Sequence, residues 1–94
     1  MDPLRYIDLQ LEVCRQLARN TNNTRFPTSN PQLQKAQEQI RQQNCETFAT
    51  SAKKVSDGLE NERRYLQPGD NPRRRAIEER AQQLEEYRRA FYGG

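Results

Sequence analysis

The chain of 94 residues has no histidine and no tryptophan, one methionine, two cysteines and four glycines. Without histidine it lacks the commonest general base and the commonest metal ligand. Two cysteines alone cannot close a tetrahedral zinc site; carboxylates or a second chain would have to complete it. Four glycines, two of them at the end of the sequence, write no phosphate-cradling G-x-x-x-x-G-K-[ST] or G-x-G-x-x-G loop. No apolar run is long enough to span a bilayer. Met1-Asp2-Pro3-Leu4 lacks the basic and apolar regions of a signal peptide, although a leader already removed would leave no trace. Together these absences predict a non-enzymatic protein with no catalytic residues, no cofactor and no metal, and they leave its localisation unknown.

Large apolar residues are also scarce. Leu, Ile, Val and Phe together make up about a sixth of the chain, less than the fraction below which sequences begin to look disordered. The matching excess of charge is missing, since the net charge is only +3. Such a chain builds one small core and one domain, 1–94, and needs a crosslink, a partner or its own oligomer to complete it.

What is present is a threefold start signal: Asp2-Pro3, Asn30-Pro31 and Asn71-Pro72. Asp and Asn side chains cap free helix N–H groups, and Pro suits the first helical position. An all-α fold follows, of three antiparallel helices over about 3–19, 31–66 and 72–92, the central one long. In the first, Leu4, Ile7, Leu11, Cys14 and Ala18 form one apolar stripe, and Tyr6, Leu9, Val13 and Leu17 form a second. The second helix carries a thin stripe of Leu33, Ala36, Ile40, Asn44, Phe48, Ala52, Val55 and Leu59 among many glutamines, with Ser29 to Gln32 able to form a capping box. Ser56-Asp57-Gly58 predicts a kink or a short break there, because Gly costs ~1 kcal/mol inside a helix. The third helix places Ile77, Ala81, Leu84, Tyr87 and Phe91 on one side and pairs Arg74 with Glu78, Arg75 with Glu79 and Glu85 with Arg89. Phe26, alone in the polar 20–30 loop, is expected to plug a gap against a helix.

Four groups of residues carry candidate chemistry. Cys14 and Cys45 could form a disulfide closing a loop of about 32 residues, worth roughly 3.5–4 kcal/mol on the chain-entropy model. It would imply an oxidising compartment; the alternative is two buried thiols. Arg73, Arg74 and Arg75 lie in a first helical turn, where the macrodipole disfavours positive charge, which suggests an anion contact. Neutralisation by Asp70, Glu78 and Glu79 is the favoured alternative. The excess positive charge is spread evenly along the chain, which speaks against nucleic acid. Arg88, Arg89 and Tyr92 at the C-terminus suit a partner interface, as do Ile40, Phe48, Val55 and Leu59 if the second helix dimerises. Asn22-Asn23-Thr24 matches a glycosylation sequon.

The expected function is therefore that of a small helical subunit or adaptor that docks on a larger protein assembly or self-associates. Two alternatives remain: a disulfide-stapled exported protein (an inhibitor, immunity protein or chaperone), and a helical nucleic-acid binder using Arg73–Arg75.

Overall fold

The computed structural model describes residues 2–21 and 27–93. Phe26 and the 22–24 sequon lie outside them. The described residues form three α-helices, α1 (Pro3–Thr21), α2 (Pro31–Arg64) and α3 (Asn71–Tyr92).

Each helix begins at its Asx-Pro signal. Asp2 accepts from Leu4 N–H at 3.0 Å, and Asn30 accepts from Gln32 N–H at 3.0 Å. The capping box from Ser29 to Gln32 does not form, because Asn30 itself occupies the cap and Thr28 Oγ1 accepts from its N–H. At α3 the cap is Asp70 rather than Asn71, accepting from Arg73 N–H. The turn before it uses Gly69 at φ 91°, a left-handed conformation that glycine adopts without steric cost. Helix α2 is continuous through Ser56-Asp57-Gly58, so no break falls there. Gly58 serves packing instead: a β-carbon at that position would sit 2.9 Å from Ile7 Cγ1 of α1.

The core is one cluster. Ile7, Leu11, Cys14 and Ala18 come from α1, Phe48, Ala52, Val55 and Leu59 from α2, and Ile77, Leu84 and Phe91 from α3. Phe48 stacks on Phe91 at 4.4 Å between centroids. Contacts fix the chain directions. Helices α2 and α3 meet through Glu62 with Arg73 at one end and Phe48 with Phe91 at the other, so they run in opposite senses. Helices α1 and α3 meet through Asp8 with Arg80, and further along Arg15 and Tyr87 line one depression, so they run in the same sense.

The axial register follows from the same contacts. Ile7 lies against Gly58. Counting equal steps forward from Ile7 along α1 and back from Gly58 along α2 brings the end of α1 at Thr21 level with Asn44. Helix α3 ends just past the Phe48–Phe91 stack. Helix α2, by contrast, begins at Pro31. Its first ~13 residues therefore project ~20 Å past both neighbours. No residue from 31 to 47 is buried, and the molecule is 59 Å long by 20 and 16 Å across.

Candidate functional site

The sites suggested by the sequence fare differently once placed in space. Both cysteines are free thiols. The register explains why: Cys14 is level with about Ser51, which is ~9 Å along the axis from Cys45. A disulfide needs Cα atoms within ~6.8 Å. The loop length permitted the bridge, but helix packing puts the two residues at different heights. Burial in the core pushes the Cys14 thiol up from its ordinary pKa, the state of an inert thiol. Cys45 is half-buried at the root of the projecting segment.

Arg73 is also accounted for. Its Nε lies 3.1 Å from Glu62 Oε2, and Glu62 is only 8% exposed. Hydrogen bonding to Glu62 raises the Arg73 guanidinium pKa further, so Arg73 works as an internal tie between α2 and α3. Glu62, near the end of α2, does most of the neutralising; of the three acids expected to do so, Asp70 caps the helix through Arg73 N–H and its charge adds a smaller effect on Arg73. Glu78 pairs across to Arg63 at 3.4 Å instead of with Arg74, and Glu85 pairs with Arg88 instead of Arg89. Arg74 and Arg75 are exposed and make no ion pair among the described residues. Asp8 and Arg80 form a two-pronged pair, 2.8 and 3.0 Å, that ties α1 to α3.

The proposed interface stripe of α2 is divided in two. Phe48, Val55 and Leu59 are at most 2% exposed and belong to the internal core. Ile40, at 48%, remains open on the projecting arm with Leu33. The periodicity is the same along the whole helix. What differs is where α1 and α3 stop.

Near the C-terminus, Phe91 is buried and Tyr87 is half-buried against the core. Tyr92 is 60% exposed and meets Phe48 and Phe91 edge-on. With Arg88 it borders a shallow groove of 430 Å³ between α2 and α3, floored by Ala52 and Ser56. Arg88 approaches Ser56 Oγ there at 3.5 Å, and Arg89 is exposed on the same last turn. Ionic groups at the rim are paired, Lys53 with Asp57 and Arg88 with Glu85. No group of three or more His, Cys, Asp or Glu fit to hold a metal occurs among the described residues, and no helix there is long and apolar enough to cross a membrane.

The sequence reading did not anticipate one feature. Of the second stripe of α1, only Leu17 packs against the core. Leu9 and Val13 stand one on either side of buried Leu11 in sequence, and each points to nearly the opposite side of the helix from it. Leu9 is 49% exposed, its neighbour Tyr6 is 41% exposed, and Val13 and Leu17 are half-buried. On the arm, Ile40 precedes Gly58 by about five helical turns, so it points to the same side as Gly58. That is the side occupied by α1. The outward stripe of α1 and the apolar side of the arm thus follow one another along the molecule. From Tyr6 to Leu33 the strip runs ~39 Å. Asp8 turns to Arg80 of α3 and Arg15 lines a depression with Tyr87, while exposed Arg5, one turn before Leu9, and exposed Arg41, next to Ile40, flank the two halves.

Comparison with known proteins finds no matching family model, no matching curated protein and no matching solved structure.

Proposed function

We propose that the protein is a non-enzymatic helical interaction module, a small subunit or adaptor whose contact surface is the apolar strip along α1 and the α2 arm. The observation that carries this reading is the arm. A helix of 34 residues keeps its apolar periodicity through a segment, 31–47, in which none of its residues is buried. Of the six large apolar residues that are exposed among the described residues, Tyr6, Leu9, Leu33 and Ile40 belong to this strip. Exposed apolar surface that is contiguous rather than scattered marks a contact site. The strip is also a poor place for nucleic acid, which binds through clustered positive charge.

The test is comparative capture from the native source with the wild-type chain, Ile40→Glu and Arg74→Glu. The reading expects proteins that bind the wild type and Arg74→Glu but are lost with Ile40→Glu, whose helicity stays that of the wild type. Binding lost with Arg74→Glu and kept with Ile40→Glu would contradict it and point to the basic end of α3.

A further inference from the structure

We propose that the outward stripe of α1 receives an amphipathic helix of a partner protein, one that carries an acidic residue on each flank of its apolar row. This rests on the interaction reading above and names the kind of partner that fits the α1 half of the strip. Tyr6, Leu9 and Val13 form the row, at spacings of three and four residues. Tyr6 and Leu9 are exposed and Val13 is half-buried. Such a row interdigitates with a like row on a second helix. Every element among the described residues is a helix, so no strand edge there invites an extended peptide. Leu9 lies ~18 Å back along α1 from Thr21, and the chain leaving Thr21 must reach Pro31 in the other direction.

The flanks set the charge of that helix. Arg5, one turn before Asp8, borders the row on the side of α3. Lys54, one turn before Gly58, borders it on the side of α2. Both are exposed, and neither makes an ion pair among the described residues. The nearby acids are committed elsewhere. Asp2 caps Leu4 N–H, and Glu12 accepts from Arg15 and Gln16. Glu46 lines a depression with Lys54 but stands two turns, ~12 Å, away along α2. An apolar row with one free cation at each edge is complemented by negative charge at both edges of the helix that covers it.

The register sets the spacing of those acids. With Ile7 against Gly58, Lys54 is level with Leu11, which is ~9 Å, or about six residues, past Arg5. Six residues turn a helix through about 600°, so two acids six apart stand about 120° from each other. Residues three and seven places after the first acid fall between them and form the apolar row. Two acids seven apart would fall on one flank.

The experiment is fluorescence anisotropy of a labelled alanine-based helix of about 18 residues, with a leucine row and two glutamates six apart, titrated with the full chain. Saturable binding is expected. Arg5→Glu and Lys54→Glu should each weaken it roughly three- to tenfold, and moving one glutamate to a spacing of seven should cost a similar factor. The double variant should prefer the same peptide with lysines in place of the glutamates. Leu9→Glu, checked for unchanged helicity, should abolish binding, and Ile40→Glu should leave it unchanged. No binding, or binding indifferent to Leu9 or to the charge swap, would overturn the proposal. So would a dimer in light scattering that Leu9→Glu dissolves, or Leu9-dependent binding to phosphatidylserine vesicles in place of the peptide. If the peptide fails while Leu9→Glu still loses a protein captured by the wild type, the acidic helix falls and the interaction reading stands.

Discussion

Replacing Gly58 with alanine tests the register on which the arm depends. At an exposed helix interior the change would stabilise by ~1 kcal/mol, because alanine is the better helix former. Here the new β-carbon would lie 2.9 Å from Ile7 Cγ1 and 3.1 Å from Ile7 Cδ1. Ile7 is 1% exposed and hemmed in by the core, so it has nowhere to move. Overpacking of this kind costs ~1–3 kcal/mol. The two effects oppose, and the clash should win by up to about 2 kcal/mol. The assay is urea unfolding of the wild type, Gly58→Ala, Ile7→Ala and the double variant, with an excluded osmolyte present to keep all four folded. In the Ile7→Ala background the obstacle is gone, and Gly58→Ala should then stabilise by ~1 kcal/mol. The sign of the Gly58 effect should therefore reverse between backgrounds. If Gly58→Ala stabilises equally in both, Ile7 does not press on Gly58. The axial offset of α1, and with it the overhang of the arm, would then be misplaced.

Other consequences follow from individual contacts. Arg73→Met strands the nearly buried Glu62 carboxylate and should lower the urea midpoint, while Arg74→Met, at an exposed residue with no ion pair among the described residues, should leave it close to the wild type's in the same denaturation assay. Glu12, bonded to Arg15 and Gln16, has its pKa lowered to about 2 from an ordinary 4.5. Its bonds therefore add stability at pH values above the unfolded pKa, and that stability is lost as pH falls through the range down to about 2; carbon NMR of the Glu12 carboxyl should show the low midpoint in the wild type and a return toward 4.5 in Arg15→Ala. A thiol reagent should modify Cys45 in the folded protein but reach Cys14 only after denaturation, and reductant should leave the intact mass unchanged.

Much of the architecture was legible because its signals are local. An Asx-Pro pair announces a helix start through its own side chain and ring; Asp2 and Asn30 cap as expected, and at the third pair the cap moves one residue back to Asp70. The stripes of α1 and α3 also named their core residues, since the helical period reports which side of a helix is apolar. Periodicity is silent about height along the bundle and about where the neighbouring helices lie. Cys14 and Cys45 lie on or beside apolar stripes, yet packing sets them ~9 Å apart along the axis. Phe48 and Ile40 belong to one stripe of α2, but only Phe48 has neighbours at its level. The Glu62–Arg73 tie joins residues on either side of a turn, and no i, i+4 rule could find it. The outward stripe of α1 was visible as a pattern, but only the placement of α2 and α3 shows that both lie on its other side.

The central claim is that the strip serves association and not the internal core. It is tested most directly by measuring the thermal melt of Ile40→Glu and Val55→Glu alongside their mass in solution. Val55 is fully buried, so Val55→Glu should unfold the chain. Ile40→Glu should keep the helical signal and a cooperative melt while losing every associated species. An Ile40→Glu chain that unfolds like Val55→Glu, or that stays folded and associates like the wild type, would contradict the account.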